Sequence, residues 1–115
     1  MIPERGDILH IRFDPASGRE LKDEPYCLVV SAKAFNKRFR LAMACPISSG
    51  IAHNAREAGF LVPMMGTGSC LHGSVHCHQL KTIDWEARKA ACVEKAPDIV
   101  IKEVIDCLIP VLEDD

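Results

Sequence analysis

The sequence predicts an α+β domain, mainly antiparallel β, in which short strands form a small barrel and one C-terminal amphipathic helix packs against it. Two observations carry the prediction. Short apolar runs, alternating or continuous, recur between turn signals from Asp7 to Val93, and after Pro97 the apolar period becomes that of a helix. With 115 residues the chain fits one domain, residues 1–115, and leaves no room for two cores.

Asp7 to Phe13 alternates, with Leu9, Ile11 and Phe13 on one side and Ile8, His10 and Arg12 on the other, the pattern of a half-buried strand. Asp14-Pro15-Ala16-Ser17-Gly18 is a turn signal, since proline fixes φ and glycine tolerates φ > 0. A polar loop, Arg19 to Pro25, follows. Cys27 to Ser31 is a short continuous apolar run, suited to a strand covered on both faces. Ala32 to Lys37 reads as one helical turn. Phe39, Leu41, Met43 and Cys45 then alternate with Arg40, Ala42 and Ala44, which predicts a third strand stopping at Pro46.

Ile47 to Glu57 reads as a polar loop around Ser48-Ser49-Gly50, and Gly59 to Met64 as another short strand. Gly66-Thr67-Gly68-Ser69 is a flexible turn. Gly73 to Gln79 reads as a strand that points Val75 and Cys77 one way and Ser74, His76 and His78 the other. Asp84 to Arg88 suggests a helical turn before a last short strand near Ala90 to Val93. Ile101, Val104, Ile105, Leu108, Ile109 and Leu112 mark an amphipathic helix. Pro97 suits its first turn, Asp98 favours the positive end of its dipole, and Pro110 should end or kink it.

A charged fraction of 26% and a formal net charge of -2 exclude a strongly basic domain built for duplex DNA. The basic run Lys33, Lys37, Arg38 and Arg40 reads as a solvated face ahead of a phosphate track. No apolar stretch approaches membrane-spanning length, and Met1 to Asp7 lacks the features of a signal peptide, so a cytoplasmic address with no membrane partner is expected. In that compartment the six cysteines read as reduced thiols, most of them buried.

The densest chemical group is Cys70-Leu71-His72-Gly73-Ser74-Val75-His76-Cys77-His78. Zinc is disfavoured. On an extended strand Cys77 points away from both histidines, and no CxxC pair or second ligand cluster completes a tetrahedron. No metal and no cofactor are expected. His76 and His78 would share a strand face about 6.5 to 7 Å apart. Two imidazoles so placed suit general base and general acid work on a phosphodiester, because each titrates near neutrality. They equally suit two exposed polar residues on a solvent face. Ser48-Ser49-Gly50 offers hydroxyls and amides to a phosphate, or is a plain turn.

Taken in order, several stretches resemble the MazF/PemK family of toxin endoribonucleases, its PemK (Kid) branch most. They are Arg5-Gly6-Asp7-Ile8, Phe13-Asp14-Pro15-Ala16-Ser17-Gly18-Arg19-Glu20, Leu28-Val29-Val30-Ser31, Ala34-Phe35-Asn36, Cys45-Pro46-Ile47-Ser48-Ser49-Gly50, Ala58-Gly59-Phe60, and Gln79-Leu80-Lys81-Thr82-Ile83-Asp84-Trp85-Glu86-Ala87-Arg88. The resemblance implies an SH3-like, CcdB/MazF-like barrel, a homodimer, metal-independent cleavage of single-stranded RNA, and a MazE- or PemI-like antitoxin. The branch's catalytic Arg-x-Asp pair falls here on His76 and His78, its loop histidine on Arg19, and its Thr-Ser pair on Ser48-Ser49. His76, His78, Arg19 and Ser48 are therefore the implied catalytic set, with His78 as base, His76 as acid and Arg19 stabilising the phosphorane. Ser49, Glu20, Ala58, Phe60, His72, Ser74 and Lys81 are the implied RNA contacts. The arginine that many members carry just before the Leu-Val-Val strand is replaced, since Asp23-Glu24-Pro25-Tyr26 stands there. The alternative readings are a CcdB-like protein-binding toxin, or a non-catalytic member, on the same barrel.

Overall fold

β-Strand pairing organises the chain around one central strand. The structure, a computed structural model, describes residues 1–12, 25–49 and 59–113. The strands are β1 (Asp7–His10), β2 (Tyr26–Val29), β3 (Ala42–Ser48), β4 (Leu61–Pro63), β5 (Ser74–His76), β6 (Lys81–Ile83) and β7 (Ala91–Lys95), with α1 at Lys33–Phe39 and α2 at Asp98–Glu113. They form a seven-stranded sheet in the order β4-β5-β3-β2-β1-β7, with β6 also on β3, and every pairing is antiparallel. The expected class and the C-terminal helix are both present.

The ladder is open among the described residues, its ends being β4 and β7. Side chains span that opening. Ser69, in the turn after β4, donates its hydroxyl to the Glu94 carboxylate on β7. The Cys70 amide reaches the same carboxylate at 3.4 Å.

Alternation along the strands gives the sheet two apolar faces. Leu28 and Val30 of the β2 segment, Cys45 and Ile47 of β3, and Val75 of β5 pack toward Val100, Val104 and Leu108 of α2. On the opposite face Cys27, Val29, Ala42 and Ala44 pack with Leu9, Ile11, Ile83 and Trp85. The expectation of a single core is therefore corrected to two clusters on the two faces of one sheet. For the same reason β1 is not half-buried. Ile8 joins one cluster and Leu9 the other, and neither side chain is exposed.

Three boundaries also move. Phe39 belongs to α1, which Arg40 ends in the left-handed region at φ 55°, so the alternation read from Phe39 begins as a strand only at Ala42. Arg40 then forks onto Glu86 at 2.9 and 3.1 Å with its guanidinium over Trp85, so part of the basic run is structural. β3 runs through Pro46 to Ser48. The Met43 carbonyl accepts from Val30, so by alternation positions 45 and 47 bond toward β2 while 44 and 46 face the other neighbour. There the chain leaves the ladder between His76 and Lys81, and a proline costs no strand-to-strand bond. In α2, Pro110 lies inside the helix and does not end it.

Gly6 fixes the N-terminus against α2. At φ 93° a side chain there is strained, and a Cβ would stand 2.5 Å from Ile101 Cδ1. No helix among the described residues is long and apolar enough to cross a membrane.

Candidate active site

β5 and β6 are two pieces of one path alongside β3. Ile47 pairs with Val75 and Ser48 with Ser74, while Ala44 pairs with Lys81. Two residues of β3, Cys45 and Pro46, thus oppose the stretch from His76 to Leu80, whose middle winds into a 3₁₀ turn, Cys77–Gln79. The expected strand from Gly73 to Gln79 is corrected accordingly. Extended backbone ends at His76, and the turn carries His78 out on a tighter path.

The turn gives the two histidines unlike surroundings. His76 is fully buried and His78 is exposed, yet their rings remain in contact, with centroids 5.7 Å apart and planes at 43°. They do not share an exposed strand face. Partial burial lowers the His78 pKa below the ordinary imidazole value, so its neutral form predominates at pH 7.

Ser48 ends β3 with its side chain buried, on the same sheet face as its partner Ser74 and, one alternation further, His76. Gly73 sets this corner. Its φ is 95°, and a Cβ there would meet the Ser48 carbonyl oxygen at 2.6 Å and the Ser49 nitrogen at 3.0 Å. Ser49 and His72 are exposed beside it. Lys81, paired with Ala44, lies on the same face as Cys27, and with Arg88 it pulls against the burial that pushes the Cys27 thiol up to about 12. Phe60 stands apart from these polar groups. It packs against the α2-side cluster while its carbonyl accepts from the Cys77 amide at 3.0 Å. Arg19, Glu20 and Ala58 lie outside the described residues.

Thiol chemistry is not favoured here. Contact with Cys45 and then burial raise Cys77 far above the usual thiol range, and burial raises Cys107 as well. Of the six free cysteines Cys27, Cys45 and Cys77 are buried, whereas Cys70 and Cys92 are exposed. Among the described residues no three His, Cys, Asp or Glu side chains converge as a metal site requires.

Two contributors carry no assigned role in the sequence reading. Gly73 is legible only as a turn residue until its approach to Ser48 is seen. Arg88 lies within the Gln79 to Arg88 stretch of the resemblance, but only the fold brings its charge to Cys27 beside Lys81. Its carbonyl accepts from the Arg12 amide at 2.7 Å, which ties that turn to the end of β1.

A family model described as a PemK-like, MazF-like toxin of type II toxin–antitoxin systems matches residues 4–112. Endoribonuclease PemK of Escherichia coli is 38% identical over 109 residues, spanning 95% of this chain and 81% of that protein. Endoribonuclease toxin ChpB of Escherichia coli is 39% identical over 111 residues, spanning 96% and 94%. The crystal structure of MazF from Deinococcus radiodurans superposes with a TM-score of 0.82 at 28% identity over 97% of each chain.

Proposed function

Because this chain belongs to the PemK-like, MazF-like toxin family of type II toxin–antitoxin systems, we propose that it is a toxin endoribonuclease that cuts single-stranded RNA without a metal. The cut falls at short sequence motifs, and a MazE- or PemI-like antitoxin neutralises the protein. The matched residues 4–112 support the class of activity. The observation that carries the chemistry is the contact of His76 with His78, beside Ser48 and Ser74.

In this mechanism neutral His78 removes the proton from a ribose 2′-hydroxyl. The 2′-oxygen bonds to the adjacent phosphorus, the P–O5′ bond breaks, and protonated His76 returns a proton to the departing 5′-oxygen. The products are a 2′,3′-cyclic phosphate and a 5′-hydroxyl. Lys81, Arg88 and Arg19 supply positive charge against the extra negative charge of the phosphorane. Ser48 and Ser49 hold the phosphate. Because His76 has no exposed surface, the mechanism requires RNA binding to bring its ring within reach. That burial also favours a second reading, in which the barrel binds its antitoxin and does not cut.

The working form in this proposal is a cytoplasmic homodimer. Ile99, Ile109, Val111 and Leu112 leave apolar surface exposed on α2, which a second copy would cover. An RNA strand and the same strand carrying 2′-deoxyribose at every position test the chemistry. Cleavage of the first alone is expected. Cleavage of both would remove the 2′-hydroxyl from the mechanism, and cleavage of neither would favour the binding-only reading.

A further inference from the structure

We infer that Tyr26 is a specificity residue of this site, a platform on which a nucleobase flanking the scissile phosphate stacks. The inference rests on the proposed RNA cleavage. A cleft of about 320 Å³ opens beside the end of β3, lined by Tyr26, Ser48, Ser49, Leu71 and His72 among others. That volume is at the small end of ligand sites. No lysine, arginine or carboxylate lines it among the described residues. A phosphate is therefore a poor match, and a flat, neutral heterocycle with a polar edge is a good one. The phenol supplies a π face, Leu71 an apolar wall, and the serine hydroxyls and the imidazole of His72 supply hydrogen-bonding partners.

The Tyr26 ring is held in place. It packs partly against the α2-side cluster, and its strand partner His10 meets it in an edge-on contact, centroids 5.3 Å apart and planes at 73°. A fixed aromatic loses little freedom when a ligand arrives. No described residue hydrogen-bonds its hydroxyl. The cleft also stands at the right place along the sheet. Ser48 belongs both to its wall and to the pair with Ser74, and His76 follows Ser74 by two residues, about 7 Å along β5. A phosphate at the histidines thus leaves the neighbouring base beside Tyr26. Stacking on an aromatic tolerates several bases, so selectivity among them comes from the hydroxyl and imidazole edge.

Tyr26 is the chain's single tyrosine, so isotope-labelled tyrosine gives one set of ring resonances. The full-length protein is titrated with a 2′-O-methyl oligonucleotide of its mapped cleavage sequence, which binds but cannot be cut. Binding is followed in parallel by fluorescence anisotropy of the labelled strand. An upfield shift of the Tyr26 ring signals is expected, and Tyr26→Ala should weaken binding about 5- to 150-fold. Tyr26→Phe, which keeps the π face, should stay close to wild type. Bound oligonucleotide with unmoved tyrosine signals overturns the inference while leaving RNA cleavage standing. If the wild type neither cuts nor binds RNA, the functional reading fails, and the inference with it.

Discussion

Replacing Gly73 with alanine puts a methyl group where the backbone of Ser48 and Ser49 already stands. Two costs add. At φ 95° an L-residue is strained by about 1–2 kcal/mol. The contact of 2.6 Å with the Ser48 carbonyl oxygen cannot be relieved by turning a side chain, so the backbone must shift, as in overpacked cores, for about a further 1–3 kcal/mol. Gly66 separates the two terms, because its φ is 79° but its Cβ would meet nothing within 4 Å. Gly66→Ala should therefore lose only about 1–2 kcal/mol, and Gly73→Ala about 2–5 kcal/mol. At roughly 4 °C per kcal/mol, the two melting temperatures should differ by about 4–12 °C. Thermal and urea unfolding give the stabilities. RNA cleavage well below both melting points should fall in Gly73→Ala, because Ser48 and Ser49 are displaced, and persist in Gly66→Ala. Equal melting temperatures with equal cleavage would refute the close approach on which the corner is built.

His78→Ala should slow cleavage about 10²- to 10⁴-fold, the usual loss with a general base. In the wild type the base must be neutral, so the rate should fall as pH drops through the lowered His78 pKa, placing that limb below 6.5; a limb centred above 7 would contradict the assignment. Leu108→Ala removes a side chain buried between α2 and the sheet and should cost about 2–5 kcal/mol in urea unfolding; a loss under about 0.5 kcal/mol, the scale of surface changes, would mean that α2 is not docked as described. Elemental analysis should find zinc well below one ion per chain, and EDTA should leave the unfolding curve unchanged. A stoichiometric zinc lost together with the fold would make the Cys70 to His78 run a metal site.

Much of the fold was legible because one local period matched one tertiary environment. Cys27 to Ser31 reads as a strand covered on both faces, and Leu28 and Cys27 do pack into opposite clusters. The stripe of α2 likewise buries Val104 and Leu108. Elsewhere a local rule met a non-local exception. Pro46 looks like a strand end, but it sits where the neighbouring path has left the ladder, so its missing N–H breaks no pairing. Phe39 continues the alternation in sequence, yet the left-handed Arg40 turns the chain between them. The site shows the same limit. Strand alternation gave His76 and His78 one exposed face, but the 3₁₀ turn buries one and exposes the other while keeping their rings together. Gly73 and Arg88 act through approaches that only the folded sheet creates.

The central claim, cleavage of RNA by a histidine pair without metal, is tested most directly by single-turnover reactions in EDTA with wild type, His76→Ala and His78→Ala, each checked for folding, with the RNA ends identified. The account predicts 2′,3′-cyclic phosphate and 5′-hydroxyl ends from the wild type, and rates lower by about 10²- to 10⁴-fold in both variants. Wild-type rates in both variants, or cleavage abolished by EDTA, would contradict it.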